Sequence, residues 1–130
     1  MFEGSCCCGA VRFSVSRSPR MAAECHCTRC RKVGGTPFAL VDADSVEIVS
    51  GREHIATYLP EPSFKYKRCF CERCGSSLGE ILSEGDVLPV PLNVFDQDPG
   101  VPIRFHEHVA SKGSWAVIPD GVKQFEGDPG

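Results

Sequence analysis

Nine cysteines in a chain of 130 residues constrain this protein more than any other feature. They fall in three groups: Cys6-Cys7-Cys8, then Cys25, Cys27 and Cys30, then Cys69, Cys71 and Cys74. Nine is odd, so they cannot all pair as disulfides within one chain. Residues Met1 to Arg20 show no basic segment leading into an apolar one, so no signal peptide is expected. A reducing, cytoplasmic setting follows, and there crowded cysteines more often bind metal than cross-link.

Composition narrows the classes further. The length suits one domain with a real core. Apolar residues make up 42% of the chain, and no run approaches the length that spans a bilayer. Fourteen basic against 17 acidic residues leave a net charge of -3. That speaks against a nucleic-acid binder, which needs a basic excess to neutralise phosphates. Nothing in the sequence specifies an oligomeric state.

Thirteen glycines and 10 prolines are spread throughout, which leaves long helices almost nowhere to sit. Short strands fit better. Val11, Phe13 and Val15 alternate with Arg12 and Ser14, as in a half-buried strand. Met21 to Cys25, His54 to Leu59, Phe64 to Phe70, Leu78 to Leu82 and Ile103 to Val109 read as further strands. Phe38 to Val41 and Val46 to Val49 are two more, joined by a hairpin-like turn at Asp42-Ala43-Asp44-Ser45. Val87 to Val94 carries Pro89 and Pro91, so it is at best an edge strand. Trp115 to Ile118 is expected to close the sheet, and residues 119 to 130 to form a surface tail. The expectation is a single all-β domain tied together by metal.

Zinc held tetrahedrally by four thiolates draws ligands from short loops that turn sharply. Cys71 and Cys74, followed by Gly75, form a strong C-x-x-C knuckle. Cys6 and Cys8, followed by Gly9, can supply a partner pair, with Cys7 pointing away. The first expected site is thus Cys6, Cys8, Cys71 and Cys74, closed and structural. Cys25, Cys27 and Cys30 remain. Three ligands with a free fourth position are the mark of a catalytic zinc. Two alternatives stay open. The trio could be closed by Cys69, Cys7, His106 or His108, or Cys27 and Cys30 could join Cys71 and Cys74 in one zinc ribbon.

The other candidates have plainer readings. His26 lies between two ligands, and its ring should face away from the metal. His54 is taken as structural or exposed. His106 and His108 would share one face of a regular strand. Cys7 and Cys69 read as small buried hydrophobes. Arg29, Arg31 and Lys32 flank the trio, while Lys65, Lys67, Arg68 and Arg73 approach or enter the second knuckle. They either offset thiolate charge or form a pocket for an anion.

Several of these stretches together resemble a known family. Gly4-Ser5-Cys6-Cys7-Cys8-Gly9-Ala10-Val11 is similar to the G-S-C-x-C-G-A-V opening of the glutathione-dependent formaldehyde-activating enzymes, a family that includes centromere protein V-like members. Cys25-His26-Cys27-Thr28-Arg29-Cys30-Arg31 matches their C-H-C-x-x-C-R, and Phe70-Cys71-Glu72-Arg73-Cys74-Gly75 their F-C-x-x-C-G. Gly35-Thr36-Pro37-Phe38, His106 and Trp115 fall where the family has such residues. The likeness covers about residues 4 to 118 and departs at Gly34, in the extra Cys7 and Cys69, and in the proline-bearing run Val87 to Phe95. It implies an Mss4-like β fold with two zincs, a structural one on Cys6, Cys8, Cys71 and Cys74 and a labile one on Cys25, Cys27 and Cys30. It also implies a carbon–sulfur lyase that adds glutathione to formaldehyde, with a small-molecule thiol and aldehyde as its partners. The rival expectation is a zinc-scaffolded protein-binding module without turnover.

Overall fold

The alternation of Val11, Phe13 and Val15 is where the core begins. All three are buried, while Arg12 faces solvent. In the computed structural model, which describes residues 1–64 and 66–129, this segment is strand β2 (Arg12–Val15). It lies between β1 (Phe2–Ser5) and β5 (Val46–Ser50) in a three-stranded antiparallel sheet. Gly4 of β1 sits opposite Phe13, and a Cβ there would overlap the Phe13 ring. The missing side chain leaves room for that ring, which meets Phe95 edge-on at 5.8 Å. Burying a phenyl group of this size contributes on the order of 1.5–3 kcal/mol.

The second sheet has five strands. They are β3 (Met21–Cys25), β4 (Phe38–Asp42), β9 (Val87–Pro91), β10 (Ile103–Glu107) and β11 (Lys123–Gln124), in the order β11-β10-β3-β4-β9. The third sheet holds β6 (Ile55–Tyr58), β7 (Arg68–Cys71) and β8 (Ser77–Gly79). Ala39, Val41, Leu78, Leu88 and Val90 from the second and third sheets pack against Phe13 and Val15 from the first. The expected all-β architecture is the one observed. The one α-helix among the described residues is α1 (Thr28–Val33), six residues long. As the two prolines require, β9 is an edge strand.

Four expectations are corrected. Asp42 to Ser45 is not a hairpin. Ala43–Ser45 is a 3-10 turn, closed by a hydrogen bond from Ser45 Oγ to the Asp42 carbonyl at 2.6 Å. It sends β4 and β5 into different sheets. Trp115 and Val117 close nothing: Trp115 is 72% exposed, in a turn where Ala116 N–H donates to the Gly113 carbonyl. The sheet edge is taken instead by β11, which runs parallel to β10, and Phe125 meets Phe105 edge-on at 5.5 Å. Between Phe64 and Phe70 the strand starts only at Arg68, with Phe64 and Tyr66 exposed, and Lys65 lies outside the described residues. Finally, β10 stops at Glu107, and His108 has φ 53°, so His106 and His108 do not share a strand face.

Candidate metal centres

Cys6 follows β1 directly, and the chain turns at once, with Gly9 N–H donating to the Cys6 carbonyl and Cys6 N–H to that of Val11. Cys71 ends β7 and opens a knuckle in which Gly75 N–H donates to the Cys71 carbonyl at 2.8 Å. Gly75 has φ 80°, a left-handed conformation open to glycine at no steric cost. The two turns bring the sulfurs of Cys6, Cys8, Cys71 and Cys74 within 4.8 Å of one another. Cys6 and Cys8 are 3.7 Å apart, and Cys8 and Cys71 are 3.9 Å apart. Tetrahedral zinc with bonds of about 2.3 Å sets ligand sulfurs about 3.8 Å apart, which these two separations match, so the donor set fits such an ion. Backbone and hydroxyl groups serve the same sulfurs. Val11 N–H reaches Cys6 Sγ at 3.3 Å, and Ser76 Oγ lies 3.3 Å from Cys74 Sγ. The Ser76 hydroxyl, aided by backbone amides, pushes the Cys74 thiol down to about 5.

Cys7 is not the buried hydrophobe that the sequence suggests. It points away from its neighbours into solvent, and its backbone N–H donates to Ser76 Oγ at 2.9 Å. Cys69 does lie in the core, with its sulfur 3.6 Å from Thr57 Oγ1.

The second group is built on one local turn. Cys25 ends β3, Cys27 is the N-cap of α1, and Cys30 lies in the first turn of that helix. Cys27 Sγ accepts a hydrogen bond from Cys30 N–H at 3.3 Å, as a capping serine oxygen would. Thr36 Oγ1 accepts from Cys25 N–H at 2.9 Å. The three sulfurs lie within 4.8 Å of one another, and no fourth cysteine, histidine or carboxylate among the described residues joins that group. The donor set fits a thiophilic ion such as zinc with one position left over.

The residues named as possible fourth ligands go elsewhere. Cys7 is at the surface and Cys69 in the core. His106 groups with Glu24 and His26 instead. His108, with Glu107, gathers around Cys25 alone of the trio, and its Nε2 is 2.8 Å from Asp128 Oδ1. Cys71 and Cys74 group with Cys6 and Cys8 and not with Cys27 and Cys30, so the zinc-ribbon arrangement is not the one observed.

Several neighbours of the trio carry no signal in cysteine spacing. Both terminal nitrogens of Arg68 lie 3.7 Å from Cys30 Sγ. The hydrogen bond from Cys25 and the Arg68 guanidinium together hold the Cys30 thiol down to about 5, while the same Cys25–Cys30 contact and burial push Cys25 up. Glu107 is the residue paired with Cys25 in the parallel ladder between β3 and β10, and burial raises its carboxyl above the usual range. His26 turns its ring towards His106, with Nε2 and Nδ1 2.8 Å apart and the rings stacked. Glu24 Oε2 is 3.6 Å from His106 Nδ1. Of the flanking cations, Arg29 is tied to Glu61 at 3.2 Å and lies over the Phe64 ring. Arg31 lies 5.3 Å from the Trp115 ring centre. Arg31 and Lys32 also occupy the last turn of α1, where cations favour the helix dipole.

The chain is similar to known proteins along almost its whole length. The family model for the glutathione-dependent formaldehyde-activating enzyme matches residues 1–111. A curated protein of Halomonas elongata, provisionally named a glutathione-dependent formaldehyde-activating enzyme, is 38% identical over 128 residues, covering 91% of this chain and 81% of that protein. A Rhodobacter sphaeroides protein of known crystal structure has the same fold, with a TM-score of 0.61 over 95% of this chain and 98% of the other at 22% identity.

Proposed function

Because the chain belongs to the glutathione-dependent formaldehyde-activating enzyme family, we propose that it is a zinc-dependent carbon–sulfur lyase that adds a thiol such as glutathione to a small aldehyde. On this reading residues 1–130 form one such domain, cytoplasmic, with its core at about 4–118. Among the described residues no helix is long and apolar enough to cross a membrane. The observation that carries the reading is the gathering of three sulfurs, Cys25, Cys27 and Cys30, one donor short of a tetrahedron.

Each group of residues has a role. Cys6, Cys8, Cys71 and Cys74 would hold a structural zinc that ties β1 to β7. Cys25, Cys27 and Cys30 would hold a second, labile one. When bound there, zinc supplies a position at which a thiol is kept as thiolate at neutral pH. The chain's own residues do the rest. The hydrogen bond from Cys30 N–H to Cys27 Sγ and that from Cys25 N–H to Thr36 Oγ1 keep the three sulfurs together. The Arg68 guanidinium offsets their charge. In the overall reaction the thiol sulfur donates an electron pair to the carbonyl carbon and the C–S bond forms. The carbonyl π pair moves to oxygen, and the proton that sulfur gives up ends there. Nothing is oxidised or reduced, and no other co-reactant is consumed.

The test is Cys27→Ser. Serine is a good N-cap, so α1 keeps its start while one thiolate is lost. NMR following S-(hydroxymethyl)glutathione formation should show acceleration by the native protein above the spontaneous rate, and none by the variant. Full acceleration by a variant lacking the second zinc would refute the reading.

A further inference from the structure

Arg68 has a second neighbour besides Cys30. It lines a cavity of about 370 Å³, together with Lys32 and Val33 from the last turn of α1, Tyr58 from β6, Phe70 from β7 and Ser77 from β8. That volume lies in the range of small-molecule sites. Its walls carry two cations and no carboxylate. Among the described residues, no carboxylate pairs with Lys32 or Arg68, whose guanidinium faces Cys30 Sγ, whereas Arg29 is spent on Glu61. Phe70 and Val33 are 37% and 40% exposed and give the cavity an apolar side. Two cations facing an apolar wall suit a ligand with a negative end and a short uncharged body. Arg68 reaches from this cavity to Cys30 Sγ, so a ligand held by its charge here has its other end within one side chain's length of the trio.

The geometry points to this cavity as the seat for the carboxylate end of the thiol cosubstrate, with Lys32 and Arg68 making the enzyme selective for thiols that carry a carboxylate. This rests on the reading of Cys25, Cys27 and Cys30 as the thiol-processing centre. Selectivity arises because a neutral thiol leaves Lys32 unpaired and Arg68 with Cys30 alone, whereas a carboxylate makes charge-assisted hydrogen bonds to both cations. Such bonds contribute roughly tenfold or more in affinity each.

Two measurements on the zinc-loaded full chain test the assignment. Calorimetry with S-methylglutathione, whose sulfur is blocked, reads binding without turnover. It should bind the native protein and bind Lys32→Met about tenfold more weakly, with Lys32→Arg restoring the affinity. Lys32 is exposed, so neither substitution puts folding at stake. Steady-state kinetics should show the preference for glutathione over neutral N-acetylcysteamine, as a ratio of kcat/KM, fall about tenfold in Lys32→Met. Equal S-methylglutathione affinity in native and Lys32→Met protein overturns the site, as does an unchanged ratio. So does a Lys32 dependence seen with 4′-phosphopantetheine and not with glutathione. Binding of S-methylglutathione that depends on Lys32, in a protein that turns over no thiol, supports the site and sinks the lyase reading. Turnover that ignores Lys32 does the reverse.

Discussion

His26 Nε2 lies 2.8 Å from His106 Nδ1, which joins the loop after β3 to the middle of β10. Both imidazoles are buried, and His26 is flanked by two of the three sulfurs of the trio. Its backbone is tied as well, since His26 N–H donates to the Glu107 carbonyl at 2.9 Å. The Cys25–Cys27 segment is thus anchored through both the ring and the backbone of His26. Replacing His106 by Ala leaves the His26 ring nitrogen buried without a partner, which costs about 1–3 kcal/mol. The expected outcome is a lower urea midpoint, together with weaker metal binding at the trio and undiminished binding at the quartet. Cobalt substitution read by its visible spectrum separates the two. Equal loss at both sites would mean that the histidine pair supports the fold in general and not this loop.

The two cysteine groups should differ in how they hold metal. The quartet gathers sulfurs from segments more than sixty residues apart, four donors as a tetrahedral ion needs, whereas the trio is local and one donor short. Native protein should therefore carry two zincs, one stripped quickly by a chelator and one retained until unfolding. Cys27→Ser should carry one and keep its fold. Cys71→Ser should lose the structural ion and with it most of its stability, since metal binding energy at such sites is folding energy. Metal analysis with thermal unfolding checks each. Two equally inert zincs would favour the non-catalytic module.

What the sequence disclosed follows from the range of each interaction. Strand β2 was legible because its signal is the alternation of five adjacent residues. The turn at Cys71 and Cys74 was legible because its two cysteines, and the glycine that lets the chain turn, lie within five positions. The 3-10 turn after β4 was not, because what distinguishes it from a hairpin is Ser45 bonding back to the Asp42 carbonyl, with Arg17 and Arg20 holding the Asp42 side chain. Trp115 misled for another reason: an aromatic residue beside apolar ones reads as strand, yet here it stacks with Arg31 in the open. The contact of Arg68 with Cys30 spans 38 residues, and the pairing of Glu107 with Cys25 depends on a parallel ladder. No local spacing encodes either one.

Arg68 gives a prediction of its own. On the proposed reading, three thiolates around a divalent ion would leave an excess negative charge, which the guanidinium beside Cys30 would balance. Arg68→Met keeps much of the side-chain bulk and removes that charge. Losing a hydrogen bond to a charged group costs about 1.5–3 kcal/mol, so zinc affinity at the trio should fall roughly tenfold or more. Competition against a colorimetric chelator, with the quartet ion as the internal reference, measures this. An unchanged affinity would leave Arg68 with the cavity alone.

The stability of the chain in acid should depend on Asp42. Its carboxylate accepts from Arg20 Nε at 2.5 Å and from Arg17 at 3.3 Å, and Arg17 also pairs with Asp44. The Arg20 hydrogen bond, and after it Arg17, hold the Asp42 carboxyl below the usual aspartate range. A carboxyl whose folded value is depressed contributes stability that is fully present above the unfolded value. That contribution fades as pH falls through the folded value, because the folded chain resists a proton that the unfolded chain accepts. Asp42→Asn should therefore be less stable than the native protein at pH 7, and the gap in Tm should close below the ordinary aspartate range. The arginines are more than half exposed, so salt screens the pair and 1 M NaCl should shrink the gap at pH 7. Any loss of bound metal in acid would affect both proteins alike and cancel in the difference. A gap that stays constant from pH 7 to pH 2 would show that Asp42 acts through its turn geometry and not through its charge.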